Sequence, residues 1–591
     1  MQDTAPAARQ DADQVLPVVY ADARVQEVAS MAQERNPAPE ATAQIPASPP
    51  DEPDAGLAPA TSSPPVRPFD EMVSHDGHAR PSHKLLARII ERIGAAELDE
   101  RARVRDAYLD QQGITFTLSG RERPLPLDLI PRLISAAEWA DVEAGVIQRI
   151  RALEAFLADL YGPAEVLADG IVPRKLVLTS SHYHRQAHGF DPPNGVRIHV
   201  SGIDLIRDEA GRFRVLEDNL RNPSGVSYVL ENRRAEAHVL PEVFAGHKVR
   251  PVEEYPERLL DALLAAAPKG VDDPTVVVLT PGVFNSAHYE HAFLARRMGC
   301  ELVEGRDLYC RDGFVWMRTT SGPERVHVVY RRIDDDFLDP LQFRFDSVLG
   351  IPGLLNAARA GNVTIANAVG NGVADDKAIY PHVPDLIAYY LNESPILPNV
   401  DTYDMQDADQ REYVLERADR MVLKPSDASG GYGLVIGTKA TEKELAAVSA
   451  KVREDPRGWI AQPVVTFSTY PTAMEDGTLE PRHVDLRPFA VNMGDDIYVL
   501  PGGLTRVALP KGSLVVNSSQ GGGSKDTWVL EEAEPTERRA ASRPVRRVRR
   551  PPGRGLPRAR APLMHNERQR QQEGQQQQGG GAAGQQGGGP C

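Results

Sequence analysis

Between residues 136 and 161 the apolar side chains Trp139, Val142, Val146, Ile150, Leu153, Leu157 and Leu160 recur at steps of three and four. That period places them along one face of an α-helix. Ser135 is a suitable N-cap, and Gly162-Pro163 is a stop signal. The wider stretch 82–162 is expected to be helical, with the stripe serving as core rather than as a cofactor box. Farther along, the pattern changes. VRIHVSGIDLIRD and RFRVLEDNL, within 195–220, are rich in β-formers and flank Asp208-Glu209-Ala210-Gly211, which predicts a hairpin. Around 275–380, TVVVL reads as a buried strand, HYEHAFLARRMGC as a helix and RVHVVYRRI as another strand. Such alternation predicts a small parallel α/β domain. Residues 420–517 supply the short strands RMVLKP, GLVIG, WIAQPVV, HVDLRPFAVNM, DIYVL and SLVVN, with helix confined to EKELAAVSAKVRE. That part reads as α+β. There is no internal repeat.

Composition bounds the folded part. A chain of 591 residues implies several cores, two to four domains. Residues 1–68 are Ala, Pro, Asp and Glu with little periodicity, and from about Glu531 the chain turns to Arg-Pro repeats and then QQQQGGGAAGQQGGG. Both ends are expected to be disordered, leaving Phe69 to Leu530 as the globular protein. The formal net charge of −16 argues against nucleic acid as a partner, since binding phosphate backbones needs a basic surface. No apolar run approaches the roughly 20 residues of a membrane helix, and MQDTAPAARQDADQ has no signal-peptide pattern. Cys300, Cys310 and Cys591 form neither a disulfide framework nor a zinc motif. A reducing cytoplasm is the expected location.

Candidate chemistry lies first in the hairpin. Strand side chains alternate, so Phe213, Val215, Glu217 and Asn219 share one face, together with Asp204 and Ile206 of the neighbouring strand. With 208–211 as the loop, Asp204 lies opposite Val215 and diagonal to Glu217, at roughly 7–8 Å, within reach of a shared ion. Asp218 points the other way. Two carboxylates and an amide oxygen are hard ligands that suit Mg2+. A solvated hairpin end with ordinary charges is the bland alternative, and it stays open at this point.

The second segment is MVLKPSDASGGYGLVIG, residues 421–437. A strand ends in Lys424-Pro425, a loop follows with Ser429, Gly430, Gly431 and Gly433, and a second strand resumes. Glycines let backbone N–H groups approach phosphate oxygens, and the lysine adds a point charge. It is not a Walker loop, because no GK[ST] opens a helix, and it lacks the dinucleotide fingerprint. A flexible hairpin loop is the alternative. Other residues fit a nucleotide site but are weak alone. Lys377 could reach a phosphate, and WIAQPVV could offer adenine a backbone edge. Arg487 and Arg506 lie in strand-like segments, where a charge needs a partner or an anionic ligand. Residues 518–526 form a second glycine-rich loop, either a phosphate cradle or the start of the tail. His182, His184 and His188 read as a polar loop rather than a metal site. Arg331-Arg332-Ile333-Asp334-Asp335-Asp336 could hold a substrate carboxylate or pair its own charges.

Together these parts resemble the ATP-grasp superfamily. VLKPSDASGGYGLVIG resembles its lysine and glycine loop, and EDNLRNPSG its magnesium and acyl-phosphate segment. The order is rotated, because Asp204, Glu217 and Asn219 precede Lys377 and Lys424. That order resembles the circularly permuted type-2 ATP-grasp family, related to the synthetase domain of glutathionylspermidine synthase. Further blocks such as NAVGNGVADDKAIYPHVP and SKDTWV extend the likeness over Phe69–Leu530, and neither end is covered.

The resemblance implies a circularly permuted ATP-grasp fold combining α/β and α+β parts. Its expected parts are a helical N-terminal region at 69–194, a magnesium-binding part at 195–250, a pre-ATP-grasp α/β domain at 251–380 and a nucleotide-binding part at 381–530. It implies that Asp204, Glu217 and Asn219 hold magnesium, with Glu217 bridging two ions. Lys377 and Lys424 would contact the phosphates of ATP, the loop 429–433 would close over them, and the segment around Gln462 would hold the adenine. Arg487 and Arg506 belong to the expected nucleotide site. Arg221 and the Ser224-Gly225 backbone would face an acyl phosphate. The implied activity is an ATP-dependent carboxylate–amine or carboxylate–thiol ligase, acting on acids and amines that include peptides. A phosphotransferase and a nucleotide-binding scaffold are the alternatives, the latter with a helical partner protein encoded nearby.

Overall fold

The periodic stripe at 136–161 forms the helix Ala136–Leu160 in the computed structural model, which describes residues 67–532 except 119–120, 125, 428–432, 475–476 and 517–520. Its start is fixed reciprocally: Glu138 N–H donates to Ser135 Oγ, and Ser135 N–H donates to the Glu138 carboxylate. Every residue of the stripe is buried. The rest of 82–162 departs from the helical expectation. Helix Lys84–Gln111, interrupted at Gly94, gives way to strands Thr115–Leu118, Arg121–Pro124 and Leu127–Ile134. Prolines at 124, 126 and 131 remove backbone donors and disfavour helix there. Leu127–Ile134 pairs in parallel with Gly523–Val529, which also pairs with Thr505–Val507. The early and late ends of the described chain are thereby joined in one sheet.

The parallel α/β unit takes the expected form. Its four strands run in the order Thr364–Ala366, Val328–Arg331, Val276–Leu279, Glu301–Val303, all parallel, and helix His288–Met298 packs beside them. Nearer the C-terminus, Met421–Pro425 pairs antiparallel with both Val435–Ile436 and Trp459–Pro463. Helix Glu442–Glu454 follows, capped by Thr441 and Glu444. SLVVN forms no strand where it is described; Leu514, Val515 and Val516 instead line a cavity.

The sheet that carries the candidate metal residues is assembled from distant parts of the chain. Its order is Ile497–Val499, Phe489–Asn492, Val200–Arg207, Phe213–Asn219, every pairing antiparallel. Asn367, at the end of a parallel strand, clamps the base of the hairpin. Its Oδ1 accepts from His199 and Val200 N–H at 2.7 and 2.8 Å, and its Nδ2 donates to the carbonyls of Val200 and Leu220 at 2.8 and 2.6 Å. The hairpin is thus held rigidly against the parallel unit.

Candidate active site

The hairpin register differs from the simple count. The loop is one residue longer than expected, because Arg207 pairs with Phe213, and a bulge falls between Asp204 and Leu205. Leu216 is the extra residue. Asp204 therefore sits directly opposite Glu217 rather than diagonally from it, and Asn219 faces Gly202. The expected common face is split. Val215 pairs with Leu205 in the core, while Glu217 and Asn219 remain with Asp204. Asp218 points into the core, where Arg149 grips both its oxygens at 2.6 and 2.8 Å.

Asp204 is fully buried and lies between two arginines from the late chain. Arg487 donates Nε to Oδ1 at 2.5 Å and Nη2 to Oδ2 at 2.8 Å; Arg506 Nη2 donates to Oδ2 at 2.6 Å. Burial alone would raise this carboxyl, but the two guanidinium charges hold it well below the ordinary carboxylate range. Arg506 also donates Nε to Asp485 at 3.0 Å. Gly202 leaves room for this arrangement, since a Cβ there would stand 3.1 Å from Arg487 Cδ.

Glu217 lies at the junction of two cavities. An apolar pocket is walled by Val400, Val422, Ile436, Val464, Phe467 and Val516 among others, with Lys424 and Gln462 at its polar side. A polar cleft includes Asn219, Arg221, Ser224, Arg332 and Arg487. Glu217, Lys377 and Arg506 line both. Lys377 Nζ stands 3.6 Å from Glu217. Lys424 donates to Gln462 Oε1 at 2.6 Å, while Gln462 Nε2 donates to Thr402. Burial pushes the Lys424 ammonium down to about 8, partly offset by Glu217.

The remaining predicted residues fall as follows. Arg221 lines the polar cleft and donates to Asp375 at 2.6 Å. Ser224 Oγ accepts from Arg332 at 2.7 Å. Gly225 sits at φ 119°, and its N–H donates to Glu290 at 2.7 Å, as does Ser227 N–H. Glu290 thus already occupies the amino end of helix Val226–Val239. Gly433, at φ 74°, closes the glycine-rich segment, and a Cβ would meet Pro425 at 3.1 Å. Ser429, Gly430 and Gly431 lie outside the described residues. The segment at 523–526 is neither cradle nor tail but a buried strand, with Lys525 paired to Asp128. Arg331 pairs internally, with Asp335 at 2.9 Å and the Asn367 carbonyl at 2.8 Å. His184 Nε2 stands 3.7 Å from Asp335, and among the described residues no group of three His, Cys, Asp or Glu has metal-binding geometry.

Sequence reasoning overlooked Glu290, Asp375 and Asp485. The opposite charge two residues off, Lys377 beside Asp375 and Arg487 beside Asp485, marks a charged segment, although the pairs that form are with Arg221 and Arg506. Glu290 carries no such signal, since its partners are remote in sequence.

A family model described as circularly permuted ATP-grasp type 2 matches residues 131–508. The chain belongs to that family. An uncharacterized protein of Mycobacterium tuberculosis is 62% identical over 462 residues, covering 78% of this chain and 84% of the relative. An uncharacterized Synechocystis protein is 51% identical over 467 residues, covering 78% and 97%. A Frankia alni protein, provisionally named a glutamate–cysteine ligase, is 46% identical over 490 residues, covering 80% of this chain but 56% of the relative. A solved glutathione synthetase-like effector from Globodera pallida shares the fold at 12% identity and a TM-score of 0.50, over 74% of this chain and 98% of that one. The ATP-grasp family gives the rotated order of the motifs its explanation. Strands that hold the lysine and the carboxylates meet in space whichever comes first in the chain.

Proposed function

We propose that this ATP-grasp protein is an ATP-dependent ligase that joins a carboxylate to an amine or thiol through an acyl phosphate. The observation that carries the reading is the shared wall of the two cavities. Glu217, Lys377 and Arg506 stand where an apolar pocket, suited to a purine, meets a polar cleft suited to an acid. Phosphoryl transfer needs chiefly positioning and charge neutralisation, and these residues supply both. The Frankia relative's name is consistent with ligation.

The residues fit magnesium. Glu217 is partly exposed at the junction, and Asn219 lines the cleft. Asp204 is buried opposite Glu217 with both oxygens bonded by Arg487 and Arg506, so it would turn an oxygen to the ion as those guanidinium bonds shift. Asp204, Glu217 and Asn219 would hold the ion, which would neutralise phosphate charge. Lys424, steadied by Gln462, and Lys377 contact the phosphates. Arg487 and Arg506 move part of their bonding from Asp204 to the phosphoryl group as it transfers.

In the first step a carboxylate oxygen attacks the γ-phosphorus and ADP leaves. In the second, the amine nitrogen or thiol sulfur attacks the acyl carbon, phosphate leaves and the nucleophile loses its proton. Arg221 and Ser224 flank the acyl group. No covalent enzyme nucleophile is required. The test is ADP formation by the full chain with Mg-ATP, with and without pools of acids and amines. Stimulation that needs both pools supports ligation. Stimulation by acids alone, with a stable phosphorylated product, replaces it with a phosphotransferase, and ATP binding without any stimulation removes the catalytic reading.

A further inference from the structure

Two strand ends of the parallel unit open onto the polar cleft. The chain enters this sheet at Val276–Leu279, adds Glu301–Val303 on one side, then crosses back to add Val328–Arg331 on the other. The winding therefore reverses between Val276–Leu279 and Val328–Arg331. The crevice beyond the carboxyl ends at such a reversal is where open parallel sheets take ligands. Thr280 follows the first of these strands and Arg332 the second. Pro281, His291, Arg332 and Ile333 line the cleft at this corner. Arg332 also ties the corner to Ser224, because its Nη2 donates to Ser224 Oγ at 2.7 Å and to the Pro223 carbonyl at 3.0 Å.

His291, in the first turns of helix His288–Met298, is only 1% exposed, yet its ring forms part of the cleft wall. Burying an imidazole costs hydration that an apolar ring of that size would not lose, so its polar edge asks for a use. Its Nδ1 lies 2.9 Å from Thr280 Oγ1. That hydroxyl accepts from Gly282 N–H at 3.2 Å, so its own proton is directed to an imidazole. The choices are His291 Nδ1 and His288 Nδ1, and the latter, at 3.5 Å, is outside good hydrogen-bond range. The nearer ring then accepts at Nδ1 and, while neutral, carries its proton at Nε2. Burial, and after it the charges of Arg332 and His288, pushes His291 down to about 2, which keeps it neutral near pH 7.

We propose that His291 is a catalytic residue whose Nε2–H donates to the acyl oxygen of the acid substrate, and that Thr280 positions it by holding Nδ1. This deepens the ligase reading and rests on it for the reaction. As the nucleophile adds to the acyl carbon, the carbonyl electron pair moves onto that oxygen, and it returns when phosphate leaves. A fixed N–H aimed at the oxygen stabilises the charge while it lasts. An imidazole that stays neutral keeps its proton throughout, so it serves as donor and not as the base that takes the nucleophile's proton.

The test reads the imidazole itself, by NMR of the full chain labelled with nitrogen-15 histidine. The His291 resonances are identified by their loss in His291→Gln. Spectra are recorded with magnesium and a non-hydrolysable ATP analogue, before and after adding a pool of free amino and dicarboxylic acids. The expected ring is neutral and protonated at Nε2, its Nε2–H resonance shifts when the acids are added, and Thr280→Val, but not Thr280→Ser, admits the other tautomer. A ring protonated at Nδ1, or an Nε2–H that ignores the acids, overturns the proposal. Turnover is the second arm. His291→Phe is expected to lower acid-dependent ADP release about 100-fold at unchanged KM for ATP, and His291→Gln, whose amide still donates, to recover part of the loss. Full activity in His291→Phe overturns the proposal as well. A shifted resonance without any ADP formation would sink the ligase reading and leave the acid at His291. ADP formation with an unmoved resonance would sink the His291 assignment alone.

Discussion

Two buried clusters of paired charges, each joining the late chain to earlier parts, invite comparison. In one, Arg487 and Arg506 surround Asp204, with Asp485 beyond, and the cluster opens through Glu217 onto both cavities. In the other, Lys525 pairs with Asp128, Arg233 pairs with Asp526 at 2.7 Å, and Glu236 lies nearby, all within a sealed sheet and helix. The residue types are alike. Access is what separates them: a buried pair with an open side can exchange its partner for a ligand, whereas a sealed one can only hold the fold.

The comparison would break first at Lys525. Lys525→Met leaves Asp128 buried without its cation and is expected to cost roughly 3–5 kcal/mol of stability, read by chemical denaturation. Adding Asp128→Leu should regain most of that. A small loss in the single variant would show that the sealed cluster contributes little. At the open cluster the expected pattern reverses: Glu217→Gln lowers ADP release by at least ~100-fold while the denaturation midpoint stays put. A shifted midpoint with retained turnover would erase the distinction.

A smaller effect concerns pH. Burial lowers Lys424 from its usual 10.5 to about 8, so it is charged below that pH and loses its proton as pH rises through it. Nucleotide affinity of the free protein is expected to fall between about pH 7 and 9, approaching ten-fold per unit at the high end. Lys424→Arg should flatten that profile, and an unchanged slope would exclude this lysine from phosphate binding. The smallest effect belongs to Glu236. Its carboxyl is pushed far upward by burial and by Asp526 and Asp128. Glu236→Gln, which keeps the shape of the protonated acid, should change stability by less than about 1 kcal/mol; a large loss would mean that the carboxyl is ionised.

The sequence made parts of this legible and hid others for physical reasons. A helical stripe of seven residues is its own signal, and Ala136–Leu160 followed from it. The meeting of Asp204 with Glu217 followed from strand alternation, because both lie within one short hairpin. The bulge at Leu216 left no mark in composition, so the exact register escaped. The segment 518–526 read as a phosphate cradle or the start of the tail, yet its Lys525 pairs with Asp128, almost four hundred residues away, and only the folded sheet brings them together. Glu290 was missed for the same reason. Local period is written in the chain, whereas charge pairing across layers depends on topology.

The central claim is that a carboxylate oxygen attacks ATP at the Glu217 junction. The most direct measurement uses acids whose carboxylates carry oxygen-18, incubated with amines, Mg-ATP and the full chain, followed by mass analysis of the released phosphate. The account predicts ADP together with phosphate that has gained one labelled oxygen, and loss of both products in Glu217→Gln. Unlabelled phosphate, or AMP with pyrophosphate, would contradict it.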